Sequence, residues 1–189
     1  MASRVRVYIA CSLDGFIAGP GDDLSFLEQA QSLFSPPSED SNNTGIQYPE
    51  FMSEVGALLM GRKTFDVVDG FDMPWPYGDT PVLVATTRSL EVPVASVKAV
   101  SGSIAELLTQ AKESAGDKDV YLDGGRLIRS ALEEGLVDEL IVTQLPVILG
   151  EGIPLFAGIG KEQWIEIKTV QRFNQAGMQW VGVPRERPE

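Results

Sequence analysis

The sequence contains no histidine and a single cysteine, Cys11. Without histidine, Ser-His-Asp and Cys-His nucleophilic sites are excluded, and a structural zinc site loses one of its usual ligands, so no metal is expected. One cysteine forms no intrachain disulfide, and nothing beside Cys11 in sequence would lower a thiol pKa; it reads as a small core residue. Cations are scarce too: 15 Lys and Arg stand against 27 Asp and Glu, a net charge of −12. That charge repels nucleic-acid phosphates, and no dense basic stripe offsets it. No run approaches the roughly 20 apolar residues of a membrane span. The chain also enters a strand pattern at once, without a signal-peptide apolar region. The expectation is a cytoplasmic protein with neither nucleic acid nor membrane as partner. Any anionic ligand must be met by a local basic cluster.

What is present is one alternating pattern. With 189 residues and 43% hydrophobic content, the chain suits one substantial core, and residues 1–189 are read as one domain. Residues 5–11 form a buried strand pattern ending at Ser12-Leu13-Asp14-Gly15. From about 18 to 48 the chain is polar and rich in Gly, Pro and Ser, with one short helical pattern at 24–34, and reads as a lid or insert. Residues 38–44 read equally well as an insertion without a role. A helix over 50–55 opened by Pro49 precedes a strand at 57–60, then a helix at 62–68, a strand at 81–86 and a strand at 97–100. Ser103 and Glu106 form a capping-box pattern for a helix to about 114. A strand at 120–122, a helix at 126–134 stopped by Gly135, and a long strand at 137–146 follow. Residues 164–173 and 178–183 alternate about a turn at 174–177, a hairpin signature. Strand-helix alternation with a terminal hairpin implies an α/β fold, a mostly parallel mixed sheet flanked by helices.

Three strand ends carry donors where such a sheet binds ligands. In Gly61-Arg62-Lys63-Thr64 the glycine permits a sharp turn and the following helix points free N–H groups at an anion. Gly56 through Thr64 imitates a phosphate-loop spacing, but Arg62 intervenes before the lysine and residues 57–60 are too apolar for a solvated loop. Thr86-Thr87-Arg88 offers two hydroxyls and a guanidinium, a combination that also suits a solvated turn. Asp123-Gly124-Gly125-Arg126 lets a ligand approach the backbone closely before another helix N-terminus. Together these ends gather Arg62, Lys63, Arg88 and Arg126 at one edge, a cluster suited to a pyrophosphate with a further phosphate.

The ordered motifs Ser12-Leu13-Asp14-Gly15-Phe16-Ile17-Ala18, Leu59-Met60-Gly61-Arg62-Lys63-Thr64, Asp123-Gly124-Gly125, Gly135-Leu136-Val137-Asp138-Glu139-Leu140 and Pro146-Val147-Ile148-Leu149-Gly150-Glu151-Gly152 resemble the reductase domain of riboflavin biosynthesis. That family shares the dihydrofolate reductase-like fold. The resemblance covers nearly the whole chain except the polar insert, and leaves no residues for the deaminase domain fused in many members. It implies an NADPH-dependent oxidoreductase of a small heterocycle, with 5-amino-6-(5-phosphoribosylamino)uracil the leading substrate. A pterin or other small-molecule reductase, and a catalytically silent NADPH-binding protein, remain as alternatives. It places Ala10 and Ile17 beside the nicotinamide, and Gly61, Arg62 and Thr64 on the adenosine-side phosphates. Thr86, Thr87 and Arg88 then surround the adenosine, with Gly124, Gly125 and Arg126 at the pyrophosphate. Two arginines able to grip a 2′-phosphate favour NADP over NAD. A homodimer joined through residues 145–156 is a further implication.

Departures from dihydrofolate reductase concern the proton donor and the substrate. Its pterin carboxylate would fall near Gly45, where no acid stands; Glu50 and Asp40 are the nearest acids. No dedicated phosphate pocket for the phosphoribosyl substrate is evident. Asp14 is a second catalytic candidate, orienting the loop near the nicotinamide, although an Asp-Gly turn explains it as well. Trp75 and Tyr77 are candidates to stack on a substrate ring, or else pack a Pro-rich loop. Asp138-Glu139 reads as the surface start of a strand.

Overall fold

The computed structural model describes residues 3–33, 45–173 and 177–187. Most of the expected hairpin turn, the polar tract 38–44 and the candidate acid Asp40 lie outside them. The elements in chain order are β1 (Val5–Ser12), β2 (Phe16–Ala18), α1 (Ser25–Leu33), α2 (Tyr48–Ser53), β3 (Val55–Gly61) and α3 (Arg62–Asp69). Then come β4 (Val82–Ala85), β5 (Val97–Val100), α4 (Ile104–Ala115), β6 (Asp119–Asp123), α5 (Gly125–Glu133) and β7 (Glu139–Leu145). β8 (Ile153–Pro154), β9 (Trp164–Phe173) and β10 (Gly177–Arg185) complete the chain.

Eight strands form one sheet in the order β5-β4-β3-β6-β1-β7-β10-β9. The first six are mutually parallel, and β10 joins β7 antiparallel, with β9 paired to it as the outer arm of the hairpin. This is the expected mixed sheet. The parallel strands read as apolar runs because helices cover both their faces. Residues Val7, Leu59, Leu83, Val120 and Leu122 pack under α4 and α5, whereas Leu58, Met60, Val82, Val84 and Tyr121 pack with Phe51 of α2 and Phe65 of α3. Phe26 and Ala30 of α1 meet Leu145 and Ala10 on that second face, toward the carboxyl ends of β1 and β7. Cys11 is buried, and its thiol is pushed up to about 11 by desolvation and then by the Asp14 charge.

Several details went unread in the sequence. A small antiparallel sheet pairs β2 with β8, tying the loop after β1 to the segment after β7. α2 begins at Tyr48, one residue before the expected opening at Pro49, and ends at Ser53, so that Val55 belongs to β3. Gly56 marks no phosphate loop: it lies in β3, where a Cβ would come within 2.3 Å of the Ala115 carbonyl oxygen at the end of α4. The capping box of α4 is formed as expected, Ser103 Oγ accepting from Glu106 N and the Glu106 carboxylate from Ser103 N.

Asp138 and Glu139 do more than open a strand at the surface. Asp138 accepts from Val5 N at 2.6 Å. Glu139 joins Glu54 and Asp119 around the guanidinium of Arg6, which is only 4% exposed although it lies in a strand. Arg4 adds a two-pronged bond to Asp119, at 2.7 and 3.1 Å. Burial works to raise the Asp119 carboxyl, but the bonds from Arg4 override it and hold the group below its usual range. The network fastens β1, β6, β7 and the α2–β3 junction at the amino ends of the strands, opposite the glycine-led helix starts.

Candidate active site

The carboxyl ends of β1, β3, β4 and β6 line one edge of the sheet, with Gly61 beside Ala85 and Met60 beside Asp123 in the register. Two helices start there. Neither Gly61, the N-cap of α3, nor Gly124, the N-cap of α5, supplies a side-chain capping bond. Their first-turn N–H groups are therefore left to another acceptor. The two N-termini also meet: a Cβ on Gly124 would sit 2.6 Å from Thr64 Oγ1 and 3.7 Å from Gly61 N. Gly124 has φ 95°, a conformation costly for any other residue, and space is open where a Cβ of Gly61 would be. Ile17 closes the far side, since a Cβ on Gly125 would touch its Cδ1 at 2.7 Å. Ile17, Gly61, Thr64, Gly124 and Gly125 thus form one cradle with two converging positive helix ends.

Cations stand in the first turns of both helices and in the turn after β4. Arg62 donates to Asp66 at 2.6 Å and to the Ser89 carbonyl at 2.8 Å, bracing the end of β3 against the turn after β4. Lys63 is exposed and pairs with Asp22 at 2.8 Å. Arg126 is exposed at the start of α5. Thr87 and Arg88 are exposed after β4, and Thr86 Oγ1 accepts from Arg88 N at 3.1 Å, so that turn is locally organised. Ala10 stands apart from the cradle, against α1.

Asp14 is a brace between loops. Its carboxylate accepts from Ser12 Oγ at 2.6 Å, Gly150 N at 2.7 Å and Leu149 N at 3.1 Å, and these bonds, Ser12's foremost, hold it below its usual range. Ser12 Oγ in turn accepts from Phe16 N. Glu50 lies exposed on α2.

The buried acid of the region is Asp123, which the sequence placed only with the cofactor. Although the residue keeps a little exposure, burial raises its carboxyl to about 6, against a bond from Gly124 N at 2.7 Å that favours the charged form. The Asp123 charge acts on Tyr48, Tyr77 and Tyr121, which belong to a wider set of aromatic side chains on this sheet face. Tyr8 contacts Tyr48 and Phe51, with ring centroids at 5.6 and 4.8 Å, and Phe51 meets Tyr121 at 5.1 Å. Trp75 lies between Phe65 at 5.8 Å and Tyr77 at 5.3 Å, and its buried indole N–H has no protein partner. Desolvation raises Tyr8 and Tyr48 to about 12 and Tyr77 further; for Tyr48 and Tyr77 the Asp123 charge is the next cause. Tyr121 donates to the Tyr8 carbonyl at 2.9 Å. Gln179, 1% exposed, receives Ile46 N at 2.7 Å and donates to the Ile46 carbonyl and Thr143 Oγ1, which anchors the entry to α2. Alternation along β6 signals that Tyr121 and Asp123 share a face; no sequence pattern signals that Tyr48 and Tyr77 join them.

A sheet of six parallel strands closed by an antiparallel hairpin and flanked by helices is a dihydrofolate reductase-like fold. Dihydrofolate reductase from Enterococcus faecalis, complexed with NADP(H), shares this fold at TM-score 0.56 with 15% identity, covering 98% of this chain and 99% of that one. The chain belongs to the RibD C-terminal domain family, whose pattern it matches over residues 3–179. A structure from Shewanella sp. PV-4 named for riboflavin biosynthesis is 31% identical, with TM-score 0.80 over 97% of this chain and 99% of that one. The Thermotoga maritima diaminohydroxyphosphoribosylaminopyrimidine deaminase/5-amino-6-(5-phosphoribosylamino)uracil reductase is 15% identical, with TM-score 0.65; the match covers 97% of this chain and 57% of that longer one. The family makes this chain a riboflavin-pathway-type oxidoreductase.

Proposed function

We propose that the protein is an NADPH-dependent reductase of a small heterocycle of the aminouracil type, with 5-amino-6-(5-phosphoribosylamino)uracil as the reference substrate. The observation that carries this reading is the meeting of two uncapped helix N-termini at Gly61 and Gly124, with Arg62, Lys63 and Arg126 in the first turns of those helices and the partly enclosed Asp123 next to Gly124. The residues fit a dinucleotide: the two helix ends suit a pyrophosphate and the guanidiniums a further phosphate. When bound, the cofactor supplies a hydride from its nicotinamide. Ile17, with Ala10 on the opposite side of the β1 end, would hold the ring; Gly124 and Gly125 admit the pyrophosphate; Thr86, Thr87 and Arg88 border the adenosine.

Asp123 is the proton source in this scheme. A carboxyl that titrates near 6 still carries a proton in part of the enzyme near neutrality, and gives it up more readily than water does. Trp75 and Tyr77 form an aromatic wall, and Asp14 keeps the loops around the β1 end in register. Glu50, in solvent, has no comparable enclosure. The working unit is one reductase domain in the cytoplasm, paired as a homodimer through the 145–156 segment, where Ile148 is 72% exposed.

The test is steady NADPH oxidation in the presence of the aminouracil, together with Arg62→Ala. The substitution is expected to weaken NADPH binding about tenfold, the loss of one charge-assisted contact. Unchanged affinity would remove Arg62 from the phosphate site. NADPH binding without turnover of any pyrimidine or pterin would instead favour a silent nucleotide-binding protein. Light scattering that shows a monomer would end the dimer.

A further inference from the structure

The cradle wall that carries Ile17 is built on two strands of three and two residues, β2 and β8. A two-stranded pairing of that size does not hold itself in water. Most of what fastens it is internal to the pair. Leu13 N donates to the Val147 carbonyl at 2.8 Å, Leu155 N to the Gly15 carbonyl at 2.9 Å, and Leu149 N and Gly150 N to the Asp14 carboxylate. Gly152 lies so close to β2 that a Cβ there would stand 2.1 Å from the Ala18 carbonyl oxygen. These contacts join the loop after β1 and the segment 147–155 into one unit. They do not set where that unit sits against α5, whose glycine start forms the facing wall of the cradle. Leu155 shares the apolar core with Ile128 and Leu132 of α5, but that contact has no direction.

The direction comes from one side chain. Arg129 stands one turn beyond Gly125 in α5, and so on the same face of the helix. Its Nη1 donates to the Pro154 carbonyl at 2.6 Å and reaches the Leu155 carbonyl at 3.4 Å. Among the described residues these are the only hydrogen bonds between α5 and the β2–β8 unit. A Cβ on Gly125 would lie 2.7 Å from Ile17 Cδ1, 3.0 Å from Arg129 Nη1 and 3.8 Å from the Pro154 carbonyl oxygen. The guanidinium, the Ile17 side chain and the start of α5 therefore meet at one point. Arg129 is partly buried there, whereas Arg126, the arginine of the Gly-Gly motif, is exposed.

Resting on the reductase reading above, we infer that Arg129 is a positioning residue for the nicotinamide half of the cofactor. By gripping β8 it holds Ile17 at a fixed distance from the Gly125 backbone, so that the ring and the pyrophosphate enter a slot of set width. The adenosine half is outside its reach. The turn after β4, proposed to border the adenosine, follows a strand three places from β1, about 14 Å across the sheet at the usual spacing.

The experiment measures equilibrium binding of two ligands to the full chain by calorimetry. One is NADPH; the other is adenosine 2′,5′-bisphosphate, which carries the adenosine side and lacks the nicotinamide. Arg129→Met keeps an unbranched stem and removes the donors. Its Kd for NADPH is expected to rise roughly tenfold, the loss of a charge-assisted bond, while its Kd for the bisphosphate stays unchanged and shows the variant to be folded. Arg129→Lys, which keeps a charged donor, should recover most of the lost affinity; a lysine variant as weak as the methionine one would count against the inference. Equal weakening of both ligands would mean that the substitution loosens the fold as a whole, and unchanged NADPH binding that the link has no role. Either result would overturn the inference and leave the reductase reading standing. Failure of the wild-type chain to bind NADPH would sink that reading, and the inference with it.

Discussion

The proposed mechanism places its proton transfer on one carboxyl, that of Asp123. Replacing it by Asn keeps the side-chain shape and the acceptor for Gly124 N but removes the exchangeable acid. Turnover should fall by about 10²- to 10⁴-fold, the usual contribution of a positioned acid, while NADPH affinity stays within a few fold. The wild-type pH profile of kcat/KM should decline above about 6, the value to which burial raises this group, and the variant should lack that limb. A variant that retains the limb would move the proton source elsewhere. Gly124 is the second sensitive position. Gly124→Ala forces a Cβ to 2.6 Å from Thr64 Oγ1 at φ 95°, so a loss of about 1–3 kcal/mol is expected in denaturant titration, with weaker NADPH binding because the two helix ends must separate. The sequence showed both residues as part of a strand-to-helix turn. It did not show that the carboxyl is enclosed, because the enclosing Tyr48 and Tyr77 are far away along the chain.

At the level of elements, β1 is the member most strongly tied down. Its amino end carries the Arg4 and Arg6 network, its middle is buried between β6 and β7, and its carboxyl end is braced by Ser12 and Asp14. Removing Arg6 leaves Glu54, Asp119 and Glu139 facing one another around an almost dry position. Arg6→Ala should cost about 3–5 kcal/mol, as expected for stranding buried charge, read from the shift of a denaturation midpoint. Ser103→Ala, which removes the cap of α4, should cost only about 1 kcal/mol. If the two costs proved equal, the buried network would be worth no more than a surface cap. The elements themselves were largely legible: α3, α4, α5 and the terminal hairpin each carry a local pattern of caps or alternation. β2 and β8, with three and two residues, are too short for any periodicity and exist only because the tertiary structure brings them together.

For the whole molecule, titration of the acids works in two opposing directions. Asp119, Asp14 and Glu166 are held below their usual values, so their stabilisation is present above about pH 4 and is lost as pH falls through the native values. Asp123 is raised to about 6, so the native state binds the extra proton and stability declines as pH climbs from about 4 to about 6. The net charge of −12 at neutrality adds repulsion in that same direction. Tm should therefore be higher at pH 5 than at pH 8, and Asp123→Asn should reduce the corresponding stability difference by about 1.4 kcal/mol, the roughly one pH unit between 5 and the raised value; a wild-type Tm that rises from pH 5 to pH 8 would contradict this balance. Local chemistry in the chain determined the fold class, the ligand edge with its glycines and cations, and the absence of histidine or disulfide chemistry, because these depend on periodicity, turn residues and composition. The partners of Arg6 and the placing of Tyr48 and Tyr77 beside Asp123 were decided by the tertiary structure alone, since each depends on side chains separated by tens of residues meeting across packed elements.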